Sequence, residues 1–371
     1  MTNPMPITPG YQFASDNCAG ICPEAWEALR QASEGYAPGY GDDSWTARAS
    51  DLLRELFETD CQVFFCLTGT AANSMAIGHL CQSYHSVICH RYAHLETDEC
   101  GGPEFFTNGT KILLAGGAHG KMDVEQVRDL VERRQDIHYP KPRVLSLTQS
   151  TEMGTTYKAA EIAALADFAH RRDLHLHMDG ARFANAAAAL ETAPKDLTWK
   201  AGVDVLCFGG TKNGMPVGEA VIFFDRNLAE EFDYRCKQAG QLASKMRFLA
   251  APWVGMLQSG AWLERARWAN RCAMKLSGEL TALPNVRILH PVEANAAFVE
   301  FPAGVADTLN QHGWHFYSFI GEGGSRLMSS WRTTDEEIAG FVEDARSLIQ
   351  QVCGGCAELD PAAHLQVTPP S

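Results

Sequence analysis

The sequence lacks the marks of a nucleic-acid or membrane binder. Across 371 residues, 45 Asp and Glu stand against 31 Lys and Arg, a net charge of −14, and no block of Lys and Arg gathers into a basic patch. A surface of that sign repels phosphate backbones and anionic lipid headgroups, so neither is an expected partner. No uninterrupted apolar run approaches the roughly 20 residues that span a bilayer. The opening stretch MTNPMPITPG has neither a basic region nor an apolar core, and does not read as a signal peptide. The expectation is a soluble, cytoplasmic protein. Internal repeats and low-complexity linkers are also missing.

Disulfides are not called for either. Twelve cysteines are present, but they sit in apolar segments such as CQVFFC and SVIC, and a chain of this length can build a core without staples. Most are expected to be reduced, buried small hydrophobes. Cys353-Gly-Gly-Cys356 has the spacing of a redox or half-metal site, yet no second CxxC pair accompanies it, and no metal is expected.

What is present is an alternation. Seven short runs rich in Val, Ile, Leu and Phe lie between about residue 61 and residue 225: CQVFFCL, SVICH, KILLAG, RVLSLTQ, LHLHMD, VDVLCFG and EAVIFF. Segments such as VEQVRDLVERR and AAEIAALADFAHRR, with apolar residues at helical spacing, separate several of them. This pattern predicts an α/β fold with a mainly parallel sheet covered by helices on both faces, and ligands at the carboxyl ends of its strands. After residue 226 the pattern changes to long helices, then short strands at NAAFVEF and SRLMSSW, then a last helix from Thr334. Thr334 and Glu337 make a capping box for it. The expected organisation is a loose tail over residues 1–10, a large domain over 11–255, a small α+β domain over 256–352 and a loose tail over 353–371.

Three strand ends finish in polar signatures. VFFCL runs into Thr68-Gly69-Thr70 and then a helix, where free backbone N–H groups and a hydroxyl suit a phosphate. Neither GK[ST] nor GxGxxG is present at this turn, and a plain tight turn explains it equally well. LHLHMD ends at Asp179, followed by Arg182: either a helix-capping aspartate or a carboxylate facing a cationic ring nitrogen. CFGGTKNGMPVG, residues 207–218, holds Lys212 and no other charge, with apolar runs on both sides. An unpaired buried ammonium is costly, so Lys212 has to be neutralised, paired or used. A lysine, an aspartate and a phosphate nest at neighbouring strand ends match the needs of one cofactor, pyridoxal phosphate. The lysine forms a Schiff base, the aspartate keeps the ring nitrogen protonated and the nest anchors the phosphate.

The chain resembles the threonine aldolase family of fold-type I pyridoxal-phosphate enzymes, from FASDN near residue 13 to the helix ending near residue 352. The likeness is carried by Ser15-Asp16, Tyr40-Gly41-Asp42-Asp43, Thr68-Gly69-Thr70 with Asn73, His94, His177-Met178-Asp179-Gly180-Ala181-Arg182, Thr211-Lys212 and Ser325-Arg326. The resemblance implies a seven-stranded sheet of that fold type and retro-aldol cleavage of L-β-hydroxy-α-amino acids to glycine and an aldehyde. It implies Lys212 as the Schiff-base lysine, Asp179 as partner of the ring nitrogen and His94 stacked on the ring. Gly69, Thr70 and Thr211 would hold the phosphate, with Arg182 also at the cofactor, and Ser15, Arg182 and Arg326 would grip the substrate carboxylate. It further implies a homo-oligomer, a tetramer, with the segment Lys237–Arg247 near a neighbour's cofactor. One departure stands out. Many members carry E-N-T-H where this chain reads Thr148-Gln149-Ser150-Thr151-Glu152, which leaves His94 and Glu152 competing for the role of base. Another reaction on the same cofactor, β-elimination or aminotransfer, remains the alternative.

Overall fold

The structure is a computed structural model that describes residue 10 and residues 12–318 and 324–355, the last three as backbone only. The spacing Cys353–Cys356 and most of both expected tails lie outside the described residues.

The seven apolar runs become seven strands of one sheet: β1 Gln62–Cys66, β2 His85–His90, β3 Lys111–Ala115, β4 Lys141–Thr148, β5 His175–Gly180, β6 Val205–Gly209 and β7 Glu219–Phe223. Their spatial order is β1-β7-β6-β5-β4-β2-β3. β2, β3, β4, β5 and β6 pair in parallel, while β7 runs antiparallel to both β6 and β1. Every residue of β2, β6 and β7 is buried, which is why these strands read as continuous apolar runs rather than alternating ones.

A second, four-stranded antiparallel sheet follows, in the order β10-β11-β9-β8, from β8 Arg287–Ile288, β9 Ala296–Glu300, β10 Tyr317–Ser318 and β11 Ser325–Met328. It packs with the helices Ala261–Thr281 and Asp335–Gly355 around a core of its own that includes Phe13, Leu276, Phe298's neighbour Val299 and Phe341. The last helix opens as read: Thr334 N–H donates to Glu337 Oε2 at 2.9 Å and Glu337 N–H to Thr334 Oγ1 at 3.2 Å. Among the described residues there is no disulfide; eight of the ten described cysteines are buried. No described helix is long and apolar enough to cross a membrane.

The two sheets are tied together near one end of the first. Asp16, 2 % exposed, accepts from Arg182 just beyond β5 and from Asn295 Nδ2 at 3.0 Å, next to β9. Asn295 donates in turn to the Ser329 carbonyl beyond β11 at 2.9 Å.

Candidate active site

Four strands finish at the same edge of the large sheet, and each delivers one polar group there. β1 leads into Thr68, whose Oγ1 accepts the Ala71 N–H at 3.2 Å and so starts the helix Gly69–Leu80. That cap leaves the first N–H groups, at Gly69 and Thr70, without helical acceptors. β2 leads through a short turn to His94, first residue of the helical turn His94–Thr97. β5 ends with Asp179-Gly180. β6 ends with Gly209, followed by the single 3-10 turn Thr211–Asn213 that holds Lys212.

The turn can come this close to the end of β5 only because position 209 has no side chain: a Cβ there would lie 2.3 Å from the Ala181 carbonyl oxygen. In register, Asp179 of β5 stands between Thr148 of β4 and Cys207 of β6. A cavity of about 330 Å³ opens at this edge, and Gly69, Thr70, His94, Asp179, Thr211 and Lys212 all line it. Six of the nine residues expected from the sequence are therefore brought to one space.

The other three stand one layer out. Ser15 caps the turn Asp16–Cys18, accepting the Asn17 N–H at 3.2 Å. Arg182 is 7 % exposed and its fork is occupied: Nε donates to Asp16 Oδ2 at 2.7 Å and Nη2 to Asp16 Oδ1 at 3.0 Å. Only Nη1 remains, 4.0 Å from Glu152 Oε2. The open fork expected of Arg182 is thus largely taken by a partner to which the sequence reading gave no role. Arg326, on β11, has a buried Nε without a hydrogen-bond partner among the described residues.

Charge is concentrated here. Burial pushes the Asp16 carboxyl up, but the adjacent Arg182 guanidinium outweighs it and holds the group below its ordinary value. Burial also lowers Arg326, and the like charge of Arg182 adds to the effect. The hydrogen bond that His94 donates to Glu99 raises its imidazole. Burial raises Glu99, against the pull of its bonds to His94 and Asn73. Burial pushes Glu219 up to about 7.

Sequence reading missed two acidic residues. Glu99 Oε1 meets His94 Nδ1 at 2.9 Å and accepts from Asn73 Nδ2 at 2.9 Å, so it orients the histidine. Its position among the charges of ETDE gives no signal that it alone is buried. Glu219 did leave a trace, as the one charge opening the apolar run EAVIFF. Because β7 is antiparallel, its first residue falls at the edge where the parallel strands end, opposite Gly209 and Cys66.

The QSTE segment is mostly used structurally. The Gln149 amide bonds both backbone groups of Tyr157, at 2.8 and 2.9 Å, and the Thr151 and Thr155 hydroxyls meet at 2.8 Å. Glu152 is its one ionisable group, directed at Arg182.

With this geometry in hand, comparison with known proteins gives a consistent result. The family described as Beta-eliminating lyase matches residues 12–303. A low specificity L-threonine aldolase of Pseudomonas aeruginosa is 61 % identical over 335 residues, 90 % of this chain and 97 % of that one. A second low specificity L-threonine aldolase, from Pseudomonas sp., is 57 % identical over 91 % of this chain and 98 % of its own. Among solved structures, a threonine aldolase of Leishmania major superposes with a TM-score of 0.86 at 27 % identity, covering 91 % of this chain and 99 % of that one.

Proposed function

The chain belongs to the beta-eliminating lyase family, among its low specificity L-threonine aldolases, and from this we infer that the cavity at the strand ends is where it splits its substrate. The protein is a pyridoxal-phosphate-dependent carbon–carbon lyase that cleaves L-threonine between Cα and Cβ, giving glycine and an aldehyde.

The residues fit that cofactor. Asp179 is 3 % exposed and, among the described residues, accepts from amides alone, Asn73 Nδ2 at 3.1 Å and the Ala181 N–H at 3.0 Å. A buried carboxylate without a cation is unfavourable, and a protonated pyridine nitrogen is the missing cation. That shortfall is the observation that carries the reading. The open N–H groups at Gly69 and Thr70 suit the phosphate, and the unpartnered Arg326 Nε suits a carboxylate.

When bound, pyridoxal phosphate supplies a carbonyl that condenses with amines and a ring that accepts the electron pair left on Cα. The chain's residues do the rest. Lys212 would offer the amine that holds the cofactor and would give it up to the substrate amine. Asp179 would hold the proton on the ring nitrogen. Gly69, Thr70 and Thr211 would take the phosphate. Arg326 and Ser15 hold the substrate carboxylate, and Arg182, fixed by Asp16, contributes through Nη1. His94 would face the cofactor from the wall of the cavity, and with Nδ1 tied to Glu99 it has Nε2 left to remove the β-hydroxyl proton. Glu152 is the competing base. Substrates extend to L-allo-threonine and related β-hydroxy amino acids such as phenylserine, a reading supported by the likeness to low specificity L-threonine aldolases.

The chain works as a homo-oligomer, a tetramer. Support comes from the resemblance and from an exposed aromatic surface beside the segment 237–247. Tyr40 there is 53 % exposed, with Lys237 Nζ 4.4 Å from its ring centre and its backbone N–H donating to the Ser244 carbonyl at 3.2 Å. Light scattering of a fully active monomer would refute this.

Product analysis tests the reaction. Incubation with L-threonine is expected to give glycine and acetaldehyde in equal amounts. A keto acid instead would mean β-elimination or aminotransfer.

A further inference from the structure

Glu219 is a buried carboxylate that the chemistry above does not use. It opens β7, is 7 % exposed and lines the same cavity as Thr68, Gly69, Thr70 and Lys212. One oxygen, Oε2, accepts the Gly210 N–H at 2.7 Å, so the carboxyl braces the turn that carries Lys212. A carboxylate at this place is unexpected, because a phosphate at the Gly69–Thr70 helix start would bring like charge beside it.

The groups that face Glu219 do not relieve that conflict. The Thr211 hydroxyl and Lys212, both on the turn after β6, pull towards ionisation, while Asp179 at the end of β5 pushes against it. Cys66 on β1 and Cys207 on β6 lie close enough to feel its charge, and both thiols are held far above their ordinary range by burial, so they remain neutral. Lys212 is the cation that faces Glu219, and it is the residue that the cofactor occupies.

We propose that Glu219 is a positioning residue for the cofactor which works in its protonated form: one oxygen keeps the Gly210 N–H and the other donates its proton to the phosphate held at Gly69 and Thr70. This rests on the reading that places the phosphate there. Its ionisation in the unloaded protein at about 7 puts the transition within the working range. Below that value the site is ready for the anion. Above it, binding has to return a proton to Glu219, so affinity falls as pH rises.

The test compares wild type with Glu219→Gln. Glutamine keeps an oxygen for the Gly210 N–H and an N–H donor for the phosphate, yet cannot ionise. Apoproteins are titrated with pyridoxal phosphate from about pH 6 to about pH 8.5, reading protein fluorescence. Titrations of Lys212 and of the phosphate itself are common to both proteins, so the ratio of the two Kd values isolates Glu219. The expected ratio is close to one at the acid end. It grows towards about tenfold per pH unit above the transition, with wild type the weaker binder. Parallel curves would overturn the proposal.

Thr70→Pro, which removes both the N–H and the hydroxyl at a helix start where proline is tolerated, is measured alongside and separates the two claims. Unchanged affinity in that variant would overturn the placement of the phosphate, and with it the role of Glu219. Loss there with parallel Glu219→Gln curves would overturn the role alone. Should Glu219→Gln fail to fold, infrared difference spectra of wild type near pH 8 decide the matter. Loading with the cofactor is expected to bring up a protonated-carboxyl stretch, and its absence would overturn the proposal.

Discussion

Asp16 and Arg182, which lie 166 positions apart in sequence, meet in a buried two-bond pair, Nε to Oδ2 at 2.7 Å and Nη2 to Oδ1 at 3.0 Å. Asp16 thereby joins the end of β5 to Asn295 and the second sheet. Removing one partner of such a pair leaves a buried charge uncompensated, which costs about 3–5 kcal/mol. Asp16→Ala is expected to lose stability on that scale in urea unfolding, and to bind L-threonine more weakly because Arg182 is no longer held. The pair's contribution should also depend on pH. The Asp16 carboxyl titrates below its ordinary value of 3.8, so its stabilisation is present above that value and is lost as pH falls through the lower folded value. The stability gap between wild type and Asp16→Ala is therefore expected to close in strong acid. A gap that persists there would contradict the pairing.

Glu99 raises the His94 imidazole through the 2.9 Å bond to Nδ1. A base must be neutral to act, so the acid limb of the rate profile should report this group. Glu99→Gln removes the charge and keeps a hydrogen-bonding side chain. The His94 value should then fall, and the acid limb should move to lower pH. An unmoved limb would show that another group controls it. The histidine's raised value also fixes the sign for stability: what the His94–Glu99 pair contributes is present below about 6.5 and is lost as pH rises through the higher folded value.

His94 and Glu152 compete for the same proton. General base catalysis is worth about 10²–10⁴-fold in rate, whereas an aromatic contact with the ring contributes about 1 kcal/mol. His94→Asn is expected to keep its cofactor, read by absorbance, and to lose turnover within that range, read by aldehyde release. Retention of both would remove His94 from the chemistry. Collapse in Glu152→Gln alone would transfer the role to the carboxylate.

Gly209→Ala should damage both packing and cofactor binding, because the added Cβ would stand 2.3 Å from the Ala181 backbone oxygen. Overpacking of this kind costs about 1–3 kcal/mol. The turn holding Lys212 has to shift to relieve it, so thermal unfolding and pyridoxal phosphate affinity should weaken together. A variant with native affinity would contradict the dependence of the lysine's position on this contact.

The large sheet was legible because its central strands, buried on both faces, are written as uninterrupted apolar runs, and all seven runs became strands. Direction was not legible: nothing in EAVIFF tells an antiparallel β7 from its parallel neighbours, since side-chain alternation is the same either way. The two-residue strands β8 and β10 are too short to make a pattern. In the site, Lys212 and Asp179 were readable as isolated charges ending apolar runs. The Asp16–Arg182 pair and the Glu99–His94 bond were not, because each is created by the meeting of separate chain segments or by one burial among several equivalent charges.

The most direct test of the account is attachment of the cofactor. Borohydride reduction of the loaded protein, followed by digestion and mass spectrometry, is expected to find pyridoxal phosphate fixed to Lys212. The same treatment of Lys212→Ala should leave no labelled lysine. Label on any other lysine of the wild-type protein would contradict the assignment of the cavity as the site of reaction.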